Sequence, residues 1–342
     1  MLRLAILSFW HVHAEDYARE AERHPDTEIV AVWDEVPERG RMEAERRGLY
    51  FHERLGELLE RPDIDGVVVT TPTVVHGDVI PAAAEAGKHI FTEKVIAPTL
   101  RETEEIVAAV RRSGCTLVVS LPRLYAGYAR AIKESIDGGG LGDVTYLRVR
   151  VSHDGALGTE RNPKGWLPSH FFDEKQTAGG VLIDFGCHPL YLVRLFLGMP
   201  EEVSASYERV TGREVEDNAV VTMRYSSGSL GVAEAAFVGG FSPFVVEVHG
   251  TEGSLLFGAP GGGLRLRDKR TRDNGEGWIV MNDLPPDLPS PFEQWVEHVR
   301  NGTTDDENVR IATDLSALVE AANRSAAEGR GVRLGLLSQG SP

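Results

Sequence analysis

Five short apolar runs recur through the first third of the chain, each followed by a stretch with helical periodicity. They are LRLAIL (2–7), EIVAVWD (28–34), GVVVTT (66–71), HIFTEK (89–94) and TLVVS (116–120). Each is apolar throughout instead of alternating, the pattern of strands covered on both faces. Between them, helices are expected at roughly 13–24, 38–47, 76–87 and 100–113. This alternation predicts an α/β unit, a doubly wound parallel sheet wrapped by helices.

After Pro122 the pattern changes. A helix near 126–137 ends in DGGGLG, a strand VTYLRVRVSH follows, and a polar, aromatic loop occupies 154–177. An apolar helix is expected from about 179 to 197, then several strands with short turns. AVVTMRYSSGSLGVAEAAF is the plainest hairpin, because SSG supplies turn chemistry between two strand-like runs. GAPGGG (258–263) reads as another turn, helices near 290–300 and 305–328 close the chain, and the terminal LSQGSP is expected to fray. The second region is therefore an α+β domain on an open, mainly antiparallel sheet. A chain of 342 residues exceeds what one core usually supports, so the division is set at 1–122 and 123–335.

Composition excludes some partners. With 36 basic against 52 acidic residues the net charge is -16, which opposes binding to nucleic acid or to an anionic membrane surface. Two cysteines, Cys115 and Cys187, give neither a disulfide framework nor a zinc-finger spacing, so a reducing cytoplasm is the expected location. The opening MLRLAIL is too short for a signal sequence, and no run is expected to reach the roughly eighteen apolar residues of a membrane span.

Candidate chemistry gathers where strands end. The turn after the first strand, LSFWHVHAED, has no glycine, although it stands where a nucleotide-gripping turn would. Asp34 closes the second strand, about 20 residues further on, where a dinucleotide fold places its ribose-binding acid. A carboxylate there repels a 2′-phosphate, which favours NAD over NADP; it serves equally well as a turn or helix cap. In TTPTVVH, Pro72 breaks the third strand outward, so that Thr70, Thr71 and His76 face the crevice, though a solvent-exposed His76 fits the pattern too. Glu93 and Lys94 close the fourth strand; an ammonium there can stabilise charge on a ribose or substrate oxygen, or simply be solvated. In GGVLIDFGCHPLYLVRLFLG, Asp184 and His188 stand four apart among apolar neighbours, an acid/base pair on one helix face or a satisfied pair in the core. Pro189 should bend that helix.

In their order, TTPTVVH, AAEAGKHIFTEKV and GGVLIDFGCH resemble the glucose-fructose oxidoreductase / inositol dehydrogenase / rhizopine catabolism (Gfo/Idh/MocA) family over nearly the whole chain. The resemblance implies a Rossmann domain, a second α/β domain that pairs copies into a homodimer or homotetramer through its sheet, and NAD(P)-dependent hydride transfer at a carbinol carbon of a sugar, polyol or related compound. It makes Lys94, Asp184 and His188 catalytic: His188 takes the hydroxyl proton, Asp184 aligns it, and Lys94 steadies the oxygen. Ser8, Trp10, His11, His13, Asp34, Thr71, Pro72, His76, Glu93 and Lys94 become the cofactor-binding set, with NAD the expected cofactor. From position, Arg123, Tyr125, Trp166 and His170 are taken as substrate contacts; Trp166 serves equally well to pin its loop. No metal is expected.

This chain departs from the family at three places. Val95 stands where proline is usual, Tyr191 where aspartate is frequent, and the three fingerprint glycines align with Ser8, Trp10 and His13. The turn is still expected to bind a dinucleotide, through the free amides and dipole of the helix that follows and through donors on Ser8, His11 or His13. Other readings are a metal-dependent barrel hydrolase, suggested by HVH but short of strands, an NAD-retaining lyase or glycoside-cleaving enzyme, and a non-catalytic cofactor-binding sensor.

Overall fold

The computed structural model describes residues 1–258, 262–275 and 277–339. Positions 259–261 of the expected GAPGGG turn and the last three of LSQGSP lie outside them. Leu334–Gln339 forms a 3-10 turn, so LSQ belongs to an element instead of a frayed tail.

The first unit comprises Met1–Leu121 and Pro289–Thr313. Its strands are β1 (Leu2–Leu7), β2 (Thr27–Trp33), β3 (Tyr50–His52), β4 (Gly66–Val69), β5 (His89–Thr92) and β6 (Leu117–Val119), in the order β3-β2-β1-β4-β5-β6. All pairings are parallel, with Leu7 opposite both Trp33 and Val69. Strand β3 was missed because its three residues, led by an exposed Tyr50, carry too little apolar signal. Leu4, Ile6, Val68 and Phe91 are fully buried, as strands between two helical layers must be.

Pro289–Thr313 departs from the linear boundary at 122/123. The helix Pro291–Asn301 sets Phe292 and Trp295 into this core, where Phe91 meets Phe292 edge-on at 5.4 Å between ring centroids. Gly66 is required here, since a Cβ would stand 2.9 Å from the Trp295 ring. Asn308 completes the sheet edge: its side-chain oxygen accepts from Val119 N–H at 2.8 Å and its amide donates to Val119 C=O at 2.9 Å, standing in for a further strand.

The second unit comprises Pro122–Leu288 and the chain from Asp314. Its strands are β7 (Val144–Ser152), β8 (Glu202–Glu208), β9 (Asn218–Arg224), β10 (Leu230–Ala236), β11 (Val245–Gly250), β12 (Gly253–Phe257), β13 (Leu264–Asp268), β14 (Ile279–Met281) and β15 (Val332–Arg333). Among the described residues they form one sheet, β14-β13-β12-β11-β7-β10-β9-β8-β15, antiparallel except where β7 and β10 run parallel. The expected hairpin forms, with Leu230 opposite Arg224 and Ala236 opposite Asn218. Burial alternates along β9, so one face of the sheet is packed and the other is not.

The packed face carries the apolar helix, which differs from its expected form. Leu182–Gly186 is a π-helical turn and only Cys187–Leu197 is α-helical. Pro189 cannot donate to the carbonyl four residues back, and the helix widens just ahead of it instead of merely bending. Asp184 therefore lies in the π turn, outside the α-helix that carries His188, and α-helical four-residue spacing does not describe the pair. Contrary to the sequence expectation, Glu174–Leu197 is apolar and long enough to cross a membrane by length and composition, with 78% of its most apolar window buried inside the protein.

Candidate functional site

In the first unit, the turn after β1 brings four chemically active side chains to the carboxyl ends of β1 and β5. Ser8 adopts φ 80°, the left-handed conformation for which glycine is usual. Its carbonyl accepts Thr70 Oγ1–H at 2.6 Å, and His11 N–H returns to Thr70 C=O at 3.2 Å, so β4 holds the turn. The turn's own amides face inward: Phe9 N–H donates to Asp34, Trp10 N–H to Ser8 Oγ, His13 N–H to His11 Nδ1 and, at the first residue of the helix Ala14–Arg23, Ala14 N–H to His11 C=O. Trp10 itself is buried.

Glu93 is the hub. Its Oε1 accepts the Tyr17 hydroxyl and lies 3.0 Å from His13 Nδ1 and 3.6 Å from His11 Nδ1; its Oε2 accepts Lys94 N–H at 3.0 Å and lies 3.7 Å from Lys94 Nζ. Burial opposes its charge, but His11, Lys94 and His13 outweigh it and hold the carboxyl well below the usual range. Tyr17, which also donates to Ser120 Oγ at 2.7 Å, is pushed well up by burial and by Glu93. The ligand atoms of His11, His13 and Glu93 lie within 4.8 Å of one another, a spacing compatible with a divalent ion. Each is already engaged inside the cluster. The Lys94–Val95 peptide is cis, and Val95 is buried.

Asp34 is buried at the end of β2, and Arg39 lies across it. The guanidinium donates from Nε to Oδ2 at 2.8 Å and from Nη2 to Oδ1 at 2.7 Å, while Val36 N–H caps Oδ1 at 2.8 Å. Of the two roles the sequence left open, the acid takes the turn-capping one, at the strand end where a dinucleotide fold places its ribose acid. Pro72 starts the 3-10 turn Thr73–Val75, and Thr71 Oγ1 is buried there without a hydrogen-bond partner. His76 is buried and not solvent-exposed. Its Nδ1 lies 3.1 Å from the carbonyls of Val95 and Ile96 and its Nε2 3.3 Å from that of Thr71, which pins two strand-end loops together. Burial lowers its pKa.

In the second unit, Gly180 and Leu182 N–H groups sit on the buried Glu216 carboxylate at 3.0 Å, which fixes the start of the π turn. Gly186 lets that turn close on β10, since a Cβ there would lie 3.1 Å from Ala235 Cβ. His188 Nδ1 lies 2.9 Å from Tyr191 Oη, and Tyr191 Oη accepts Arg123 N–H at 3.1 Å. Arg123 lies over the Phe244 ring at 4.3 Å, while Tyr125 receives Leu288 N–H on its carbonyl. Trp166 is half exposed, donates to Asp154 Oδ1 at 2.9 Å and meets the His153 ring at 4.8 Å; His170 lies in the 3-10 turn Ser169–Phe172, its ring against Phe171. His153 stacks on Phe237 at 4.9 Å, near enough to Asp184 to feel its charge, and burial lowers its pKa.

Sequence reasoning missed Tyr17, Ser120, Arg39, His153 and Glu216. Two carried signals: Tyr17 stands four residues after His13 on an amphipathic helix, and Arg39 five after the acid.

A parallel sheet of this order, with an acid at the end of β2 and a lysine after β5, followed by a mainly antiparallel second unit, defines a two-unit dinucleotide-dependent oxidoreductase. The chain belongs to the Gfo/Idh/MocA family: residues 10–121 match the oxidoreductase family's NAD-binding Rossmann fold, and residues 129–256 match the GFO/IDH/MocA C-terminal domain. It is 30% identical over 328 residues to 1,5-anhydro-D-fructose reductase of Ensifer adhaerens, covering 92% of this chain and 95% of that one. To scyllo-inositol 2-dehydrogenase (NAD(+)) of Bacillus subtilis it is 29% identical over 333 residues, 91% and 90% of the two chains. A levoglucosan dehydrogenase in complex with NADH and L-sorbose shares the fold at a TM-score of 0.82 and 20% identity, covering 99% of this chain and 100% of that one.

Proposed function

We propose that this protein is an NAD(P)-dependent dehydrogenase or reductase acting at a carbinol carbon of a sugar, polyol or related compound, with NAD the preferred cofactor. The observation that carries the reading is the buried cluster of Glu93 and Lys94 after β5 in a family member whose second unit keeps Asp184 and His188. The first unit's residues fit a dinucleotide: Ser8 already holds the left-handed backbone of a fingerprint glycine, and Thr71 Oγ1 is a buried polar atom that lacks a partner. With the turn's amides engaged inward, His11 and His13 would hold the diphosphate together with the helix end. Asp34 would receive the adenosine ribose, with Arg39 shifting to admit its hydroxyls.

The nicotinamide supplies the hydride chemistry when bound. Lys94 would steady the nicotinamide ribose and the negative charge on the substrate oxygen, its own ammonium held in place by Glu93. His188 would meet the reacting oxygen of the substrate through a ring nitrogen, and Asp184 would orient substrate hydroxyls beside it. Arg123, Tyr125, Trp166 and His170 are the proposed sugar contacts. The cytoplasm suits two buried cysteines that form no disulfide. A homodimer or homotetramer suits the second sheet, from which Val220, Leu230 and Val280 project exposed.

The test is His188→Asn. Against a panel of sugars and polyols, NAD(P)H-linked turnover should fall by about a thousandfold or more, while NADH binding by fluorescence titration stays within a few-fold. Undiminished turnover would remove His188 from the chemistry.

A further inference from the structure

His188 and Tyr191 sit three residues apart on the buried helix Cys187–Leu197, with 2.9 Å between His188 Nδ1 and Tyr191 Oη. The same phenol oxygen already accepts Arg123 N–H at 3.1 Å. Tyr191 is fully buried, and burial keeps it a phenol, its pKa pushed well above the ordinary value. A phenol has one proton to give. Arg123 N–H can only donate, so the phenolic proton is left with one acceptor, the Nδ1 of His188. Nδ1 can accept only if it carries no proton itself, and a neutral ring then bears its proton on Nε2.

We propose that Tyr191 is a positioning residue that fixes His188 as a neutral imidazole with its proton on Nε2, so that the ring meets a substrate oxygen as a hydrogen-bond donor suited to a carbonyl. Moving the proton to Nδ1, or charging the ring, turns Nδ1–H onto the phenol and strands a buried hydroxyl proton, which is costly. The titratable groups on the surrounding elements act in both directions. Asp184 in the π turn favours a charged ring, whereas Arg123 in the turn Pro122–Leu124 disfavours one. Cys187 and Tyr128 on the helix Gly127–Asp137 lie near enough to act on the Tyr191 phenol, and the Phe185 ring stands between His188 and His153. Strands β7 and β10 present Leu147, Val149, Val151, Ala233 and Ala235 to the helix side, none of them titratable. A family aspartate at position 191 would do the reverse: it would take Nδ1–H and stabilise the imidazolium. Only the identity of what the ring meets rests on the dehydrogenase reading.

Imidazole nitrogen NMR on the full chain labelled at its histidines tests the proposal, with His188→Gln assigning the signal. The wild-type protein should show His188 with Nε2 protonated and Nδ1 bare, staying neutral below the ordinary histidine pKa of about 6.5. In Tyr191→Phe the ratio of Nε2–H to Nδ1–H forms should fall by roughly fivefold or more, the weight of one hydrogen bond, and the protonation midpoint should rise. A proton on Nδ1 in the wild type overturns the proposal, as does an unchanged ratio in the variant; the wild-type spectrum decides alone if the variant does not fold. The spectrum needs no turnover. A chain with the Nε2 form that reduces no sugar carbonyl would keep this inference and lose the dehydrogenase reading, and one that turns over with Nδ1 protonated would do the opposite.

Discussion

Arg39 grips Asp34 through two parallel hydrogen bonds of 2.8 and 2.7 Å, while the same carboxylate accepts the N–H of Phe9 in the glycine-free turn. One acid therefore couples the end of β2 to the first turn, and its charge is already answered before any ribose arrives. An arginine beside a ribose acid is also a group that can receive a 2′-phosphate.

Replacing Arg39 by Ala should therefore weaken NADPH more than NADH, by about tenfold in the ratio of dissociation constants. It should also destabilise the protein by about 1–3 kcal/mol, because Asp34 stays buried with less to bind. Fluorescence titration with both nucleotides and thermal melting read the two effects. Equal loss for both nucleotides would deny Arg39 a part in telling them apart. Asp34→Ala is the companion: NADH binding should weaken and discrimination against NADPH relax.

Glu93 gives a pH signature. Its folded pKa lies below the ordinary 4.5, so the stability it contributes is complete above that value and drains away as pH falls toward the folded pKa. Melting temperature should drop as pH falls below about 4.5, and in Glu93→Gln that part of the drop should be missing. At neutral pH the variant should be less stable by about 3–5 kcal/mol, the cost of removing one partner from a buried charged cluster. An identical acid limb in both proteins would contradict the assignment.

Gly180→Ala should cost about 3 kcal/mol, since the new methyl would lie 2.1 Å from Glu216 C=O and 2.8 Å from its Oε2. The start of the π turn would move, and with it Asp184. Turnover should fall with little change in NADH affinity, because the displaced segment belongs to the second unit. Calorimetry and single-turnover rates measure both.

Trp295→Ala should destabilise by about 3–5 kcal/mol, the usual cost of emptying an aromatic core site. NADH binding should weaken along with the first unit's stability, despite the residue's distance along the chain. Unfolding by urea followed with bound NADH checks this.

Most of the first unit was legible in the sequence because buried parallel strands have no polar alternation to blur them. Its topology yields Asp34, Glu93 and Lys94 as strand-end residues without any knowledge of partners. What stayed hidden depends on long-range contacts. Nothing in FWHVH announces that two imidazoles will close on a glutamate eighty positions later, or that Tyr17 will complete the cluster. His76 looked like a surface residue because helix starts usually are; carbonyls from two other loops bury it. The pairing of Asp184 with His188 was drawn on an α-helical ruler that the π turn does not obey. Tyr191 was noted as a missing aspartate, and only the position of Arg123 N–H reveals which way its proton points.

Phe292, Trp295 and Asn308 complete a sheet whose last strand ends at Val119. During synthesis, then, the nucleotide-binding unit must wait at the ribosome, with one face of its hydrophobic layer open, until residues 122–288 of the second unit have been translated. The second unit finishes later still, since its sheet is closed by β15 from the chain after Asp314.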